Sequence, residues 1–586
     1  MIVKEFDIAV IGGGMSGICA AIAAARGGAK VALVQDRPVL GGNASSEIRM
    51  HICGASRGGG RKEDRETGIL EEILLEHKKH NQYNSYAIFD MILWSKVKDE
   101  PNITLFLNTH VKKVNMISDN KIESVFAVQL TTEQDIMIKA KLFVDTTGDA
   151  TIASLSGAEY MLGQEAKSTF NEMYAPDEAD EYTMGNSLMF KTVDRGEKVE
   201  FIKPKWANTY TEEDLKLRGH QEITSGYWWI ELGGKKHRVI EDAEEIRDDL
   251  LKAVYGVWDH LKNGGDHGAD NLDLEWVGFL PGKRESRRVI GDYILVESDC
   301  VNGRIFEDAI AYGGWSLDIH VIDGFRKNDS PPNINIHLKD NYTIPYRCIY
   351  SKNIENLFIG GRAISASHVA FSSTRVMGTC SVIGQAIGTA AAMCIEERVM
   401  PREFTDIKRL QQQLLRDDCY LPHYKNIDEA DYARTAKIYC SSELEGFECQ
   451  NVINGVARPF KGNSNKWQSE SLVNNPQWLE VRFNEARLIQ DIQLKLDSNL
   501  AKEVTISLSD KMLAKQEKSV SSTLLKDFKV SCYNNDELIY AWKVKGNYQR
   551  LINLKLPEKS ECTAVKIDCY TANGSESASI FEVRVY

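Results

Sequence analysis

An apolar run, Asp7-Ile8-Ala9-Val10-Ile11, stops at Gly12-Gly13-Gly14-Met15-Ser16-Gly17 and gives way to a small-residue stretch and then to Lys30-Val31-Ala32-Leu33-Val34. This order predicts a strand, a tight turn, a helix and a second strand. Each glycine has its own reason: Gly12 for the turn, Gly14 for close approach of a pyrophosphate, Gly17 for helix–strand packing. The helix N-terminus brings free N–H groups and the positive end of its dipole to the phosphates. The turn alone does not separate FAD from NAD. The acidic residue that usually holds the adenosine ribose belongs at the end of the second strand, where the chain has Gln35 with Asp36 next. Either residue is a candidate for that contact.

A chain of 586 residues has room for two to four domains. Its net charge of −13, with no basic run, argues against a nucleic-acid surface. The twelve cysteines are scattered without CxxC pairs or metal-ligand spacing, as expected of buried thiols in a reducing compartment. Only in an exported protein would Cys562 and Cys569 be expected to pair. Met1 runs almost at once into the first strand, so the expectation is a cytoplasmic protein, or a periplasmic or exported one if a leader has been removed. The uncharged stretches Ile8–Ala25 and Val376–Ile395 imitate membrane spans. The first breaks at the glycine turn. The second, rich in Gly, Ala, Ser and Thr and carrying Gln385, is expected as a buried core helix.

Strands and helices alternate up to about residue 155, with Lys121–Leu130 and Asp135–Val144 expected as a hairpin or meander. A less regular middle holds an expected aromatic strand, Gly226–Glu231, and an amphipathic helix, Ala243–Lys262. The first pattern returns after 341 with Leu357-Phe358-Ile359. Beyond 436 the runs are short and alternating: Trp478–Phe483, Ile492–Leu496, Val504–Leu508, Leu551–Leu556 and Phe581–Val585. The expected division is 1–160 with 341–400, an α+β insert over 161–340, a helical connector over 401–435, and an all-β jelly-roll sandwich over 436–586.

Three more segments bear on the nucleotide: Val39-Leu40-Gly41-Gly42-Asn43-Ala44-Ser45-Ser46, then Thr146-Thr147-Gly148-Asp149, and Asn356–Arg362 followed by Thr374–Thr379. With these the chain resembles the FAD-dependent oxidoreductases of the glutathione-reductase-like superfamily, particularly a bacterial group with the stretch from Val34 to Asn43. The resemblance implies a Rossmann-like FAD-binding domain. It implies that Gly12, Gly14, Ser16 and Gly17 carry the pyrophosphate. Gln35 or Asp36 would meet the ribose and Arg37 the adenine. Gly42, Asn43 and Ser45 would run along the phosphates, and Val111 would meet the adenine through its backbone. Thr147 and Gly148 form the second turn. Gly361 and Arg362 touch the ribityl region, and the helix near Met377 aims its N-terminus at the flavin. No cysteine pair follows Gly42, which excludes a dithiol reductase. No second glycine turn marks an NAD(P)H domain, so an organic substrate is expected to reduce the flavin directly.

Oxidation of a C–H bond by flavin needs orientation and a base. Three histidines stand beside motifs: His51, expected on a strand with Arg49; His320, ending a Gly313-Gly314-Trp315 loop; and His368, just beyond Arg362. Arg284, in the dense cluster 284–288, offers a fork for a carboxylate, phosphate or hydroxyl pair, or belongs to a solvated ion-pair network. Arg375 opens the neutral helix. Tyr227, Trp228 and Trp229 are either sugar-stacking rings or core.

The segments Asn451–Gly455, Trp467, Pro476–Val481 and Ile580–Tyr586 resemble discoidin-type, galactose-binding-like domains. Together these readings point to an FAD oxidoreductase acting on a sugar, a polyol or another small molecule, with no metal. Two alternatives remain: a carbohydrate-binding protein with a structural flavin, and a redox-neutral flavin lyase or isomerase.

Overall fold

The computed structural model of the chain describes residues 1–57, 60, 63–234 and 236–586. These residues form two compact units. One comprises Met1–Arg57, Asn84–Leu410 and Thr505–Ala514; the other comprises Gly58–Tyr83, Gln411–Val504 and Lys515–Tyr586.

The first unit is mixed α/β. Among the described residues its main sheet has seven strands. β1 (Ile2–Ile11) is central, with β2 (Val31–Val34) and β3 (Ile103–Phe106) parallel to it on one side. On the other side lies the parallel strand β6 (Gln134–Asp145). β4 (Thr109–Ser118) and β5 (Lys121–Gln129) form an antiparallel meander onto β6, and Leu357–Ile359 pairs with β6 in parallel. Residues Ile8–Ile11 and Val31–Val34 are buried without alternation, as strands of a sheet covered on both faces must be.

Helix α1 (Met15–Arg26) packs against the long helix Met377–Glu397. Their backbones nearly touch. A Cβ on Gly384 would stand 2.1 Å from the Ser16 carbonyl oxygen, and one on Gly388 2.1 Å from that of Ala20. This is why the second uncharged stretch is rich in small residues. Of its most apolar window, 94% is buried inside the protein.

Residues of the expected insert, 161–340, fall in this same unit. The amphipathic helix is present over Ala243–Asn263 and packs Ile246, Leu250 and Trp258 against Phe190, Tyr227 and Trp229. The expected aromatic strand is not formed. Only Glu231–Leu232 pairs, while Tyr227 and Trp229, two residues apart, stack face to face at 4.8 Å on the same side of a turn.

The second unit is an antiparallel all-β sandwich built on two long strands, Gln477–Leu496 and Leu551–Ala572, paired along their length. Trp467 is wholly buried among Leu479, Val481, Ile567 and Ile580, whereas Trp478 is only partly buried and lies under the Lys566 ammonium at 4.9 Å. Val504–Leu508, expected as a strand of the sandwich, forms none; Val504 belongs to this unit and Thr505–Leu508 to the first, and all five residues are buried in succession, without a ladder partner among the described residues. Cys562 and Cys569 share one strand and remain thiols. The expected connector is helical over Ile407–Arg416, and the division between units falls inside that helix.

Candidate active site

A cavity of about 920 Å³ opens in the first unit at the C-terminal ends of β1 and β2, where ligands of open α/β sheets bind. Gly12 has φ +109°, and a Cβ there would strike the Thr146 carbonyl. A Cβ on Gly17 would lie 1.8 Å from the Gly12 oxygen, so Gly17 packs the turn from behind and does not line the cavity. Gly14 does line it. A Cβ there would meet protein only at 4.0 Å, so the requirement for a bare backbone at this point comes from the open side. Ser16 lines the same wall, and its buried hydroxyl has no hydrogen-bond partner among the described residues.

Gln35 is committed to the protein. Its Oε1 accepts from the Gly13 N–H at 2.7 Å, and its amide donates to the Val39 carbonyl. Asp36 is exposed on the cavity wall. Arg37, also on the wall, is clamped by both oxygens of Glu47. Gly42, Asn43 and Val111 line the cavity, whereas Ser45 is buried outside it. Asn43 donates to the Lys283 carbonyl.

The second turn is held by Asp145, which accepts from the Thr147 N–H and hydroxyl and from the Ala153 N–H. Burial drives its carboxyl above the ordinary value. Beyond Gly148 stands Asp149, bonded to Lys283 at 2.5 Å and Arg362 at 2.9 Å. Burial acts to raise the Asp149 carboxyl, but Arg362 and Lys283 outweigh it and hold it below the carboxylate norm. Gly148 has φ +81°, and a Cβ on it would lie 2.9 Å from the Arg362 guanidinium. Gly361, Arg362, Arg375 and Met377 all line the cavity, so the N-terminus of the helix Met377–Glu397 looks into it.

The three histidines separate. His51 lines the cavity, and neither ring nitrogen has a hydrogen-bond partner among the described residues. Burial lowers its pKa, against a smaller opposing pull from Glu222. It does not sit on a strand: Arg49 takes φ +62° and lays its guanidinium over Trp276 at 4.2 Å, which breaks the extended run.

His320 also lines the cavity, but both of its nitrogens meet carboxylates: Nδ1 with Glu231 at 2.5 Å, Nε2 with Asp318 at 3.1 Å. Asp318 further accepts from Arg375 and Asn333. A ring so placed has no free lone pair for a substrate proton. Burial works to raise both acids, but His320 with Arg375 at Asp318, and Arg284 with His320 at Glu231, hold both below the norm.

His368 is withdrawn from the cavity. It is buried in the helix His368–Thr374, with Nδ1 on Glu285 at 2.8 Å. Glu285 also pairs with Arg288, and all three are essentially inaccessible. The cluster 284–288 is therefore a buried network and not a solvated one. Its Arg284 reaches the cavity while donating to Ser187 Oγ and the Trp228 carbonyl.

Of the aromatic trio, Tyr227 and Trp229 are core, and Trp228 alone reaches the cavity, edge-on to His320. Trp315, in the glycine-paired loop read from sequence as a pocket wall, lines the cavity, as do Asp149, Lys283, Asn333 and Asn335, which sequence reasoning did not single out. Trp315 Nε1 is buried and has no hydrogen-bond partner among the described residues. Asn333 and Asn335 carried no signal in the sequence.

A family model described as FAD dependent oxidoreductase matches residues 7–414. No curated protein matches the chain. Similar solved structures include the lectin domain of lectinolysin complexed with Lewis B antigen (15% identity, TM-score 0.21, 27% of this chain and 98% of that one). A Streptococcus pneumoniae fucose binding module, SpX-3, is similar at 16% identity and TM-score 0.21, over 27% of this chain and 96% of that one. The family 32 carbohydrate-binding module of C. perfringens NanJ in complex with galactose is similar at 16% identity and TM-score 0.20, over 27% of this chain and 97% of that one.

Proposed function

The chain belongs to the FAD dependent oxidoreductase family, and from that premise we propose that it oxidises a polyhydroxylated substrate, a polyol, sugar or sugar derivative, with FAD as the acceptor of hydride. The cavity suits the cofactor. Gly14 leaves backbone bare on its open side, the buried Ser16 hydroxyl lacks a partner among the described residues, and a long helix ends there with its positive pole inward. In this reading Gly12, Gly14 and Ser16 hold the pyrophosphate, Asp36 holds the ribose, and Thr147, Gly148, Gly361 and Arg362 hold the middle of the cofactor. When bound, FAD supplies a two-electron acceptor for a substrate C–H bond.

The rest of the chemistry falls to the chain's own groups. Trp228 and Trp315 offer flat apolar faces to a carbon skeleton, and Asp318, Asn333 and Asn335 offer acceptors and donors to hydroxyls. Arg284 and Arg375 keep the Glu231 and Asp318 carboxylates charged and in place. His51 takes the hydroxyl proton as the neighbouring carbon gives up hydride; its burial favours the neutral ring that a base requires.

The observation that carries this reading is one continuous cavity that joins the glycine turn to an aromatic, amide and carboxylate wall and to an uncommitted imidazole. Replacing His51 tests it. His51→Ala is expected to keep its flavin and lose about 100- to 10,000-fold in the rate of substrate-dependent flavin reduction. An unchanged rate would remove His51 from the chemistry.

A further inference from the structure

Away from the cavity, Glu212, His220, His260 and His267 bring four donor atoms within 4.8 Å of one another. Glu212 opens the short helix Glu212–Leu215, capped by Thr211, and His260 lies in the last turn of the helix Ala243–Asn263. His220 and His267 come from the loops beyond those helices. From this cluster we propose a structural zinc site with three imidazole Nε2 atoms and one carboxylate oxygen as ligands.

Two histidines are turned for the purpose. Nδ1 of His220 lies 2.8 Å from the Arg218 carbonyl, and Nδ1 of His260 lies 3.2 Å from that of Tyr210. A carbonyl can only accept, so both Nδ1 atoms donate and the Nε2 lone pairs point inward. Backbone carbonyls commonly fix the rings of metal-bound histidines in this way. Nε2 of His267 is buried with no hydrogen-bond partner among the described residues. The three Nε2 atoms stand 3.2, 3.6 and 3.5 Å from Glu212 Oε1, for His260, His220 and His267 in turn. Tetrahedral bonds of about 2.0–2.2 Å set ligand atoms about 3.4 Å apart.

A single divalent cation among the four atoms would bond all of them at once, which the one hydrogen bond between His260 Nε2 and Glu212 cannot do. The three rings crowd together, with centroids 4.7 to 5.5 Å apart. Four protein ligands close the coordination sphere, which marks a structural site and not a catalytic one. Its place in the unit suits that role. Tyr227 and Trp229, which flank the cavity residue Trp228, hydrogen-bond to the carbonyls of His220 and Gly219, and Arg218 holds the Lys327 and Ser330 carbonyls. The ion would therefore brace the backbone behind one cavity wall.

The test uses the full-length protein, stripped with a chelator, reloaded with zinc sulfate, freed of excess metal and analysed by mass spectrometry for metal, with flavin content read in parallel. The expected result is one zinc per chain, falling at least tenfold in the double variant His220→Ala/His267→Ala with flavin retained. Less than a tenth of a zinc per wild-type chain would overturn the proposal, as would a variant that keeps one zinc. If the variant does not fold, cobalt-loaded wild-type protein decides by its difference spectrum against the zinc form. Intense visible bands of tetrahedral cobalt support the site, and their absence overturns it.

Discussion

Gln35 and Asp36 are adjacent, and the structure gives them different work. Gln35 accepts from the buried Gly13 N–H, so it ties down the turn itself. Asp36 faces the cavity. Gln35→Ala leaves that N–H unpaired and is expected to destabilise the cofactor-free protein by about 1–3 kcal/mol, measured by urea unfolding. Asp36→Ala is expected to leave that stability unchanged and to weaken FAD binding, measured by titrating FAD into the stripped protein. The opposite pattern would exchange their roles. His51 yields a pH prediction. Burial holds its pKa below 6.5, and a base must be neutral. The rate of flavin reduction should therefore be full above pH 6.5 and fall as pH drops through the lowered value; an acid limb centred above 6.5 would exclude His51. The sequence placed His51, His320 and His368 beside motifs with equal justice. What separates them is a carboxylate on each nitrogen of His320, and the burial of His368 on Glu285. Those partners lie up to 89 residues away in the chain, beyond the reach of local pattern.

At the scale of elements, the glycine turn, β1, β2, the β5–β6 hairpin and the helix after Met377 were all legible, because each is dictated by a local period or by glycine spacing. The helix pair is the clearest example. Gly384 and Gly388 let Met377–Glu397 lie on α1 with almost no gap, and that contact fixes where the helix N-terminus points. Gly384→Ala puts a Cβ 2.1 Å from the Ser16 carbonyl. It is expected to cost about 1–3 kcal/mol and to loosen FAD, seen as a lower Tm together with faster flavin release on dilution. An unaltered Tm would mean that the crossing yields without strain. Besides the run through Arg49 and His51, two expected strands are not formed, each for a physical reason. Gly226–Glu231 has strand composition, yet stacking of Tyr227 on Trp229 overrides it. Val504–Leu508 has alternation in sequence but is buried throughout.

At the scale of the whole molecule, the two units are each drawn from separated stretches of chain. The sandwich includes Gly58–Tyr83, whose helix Ile69–His80 gives Leu75 to the core that holds Trp467 and Ile567. Composition could not announce this, because the helix lies far from the strands it serves. A fragment of residues 411–586 is accordingly expected to unfold at a lower temperature than the sandwich in the intact chain, or to aggregate, in thermal circular dichroism. A fragment that matches the intact sandwich would show that the helix contributes nothing. The central claim concerns the other unit: the cavity residues of the first 150 positions and those of 280–380 form one place where a polyhydroxylated substrate meets FAD. The direct measurement is anaerobic mixing of the FAD-loaded protein with a panel of sugars and polyols, with no other electron acceptor, while following the visible flavin absorbance. The prediction is that one class of compound bleaches the flavin fully, with one equivalent of substrate oxidised per chain. A flavin left oxidised by every compound, or product formed continuously without bleaching, would contradict it.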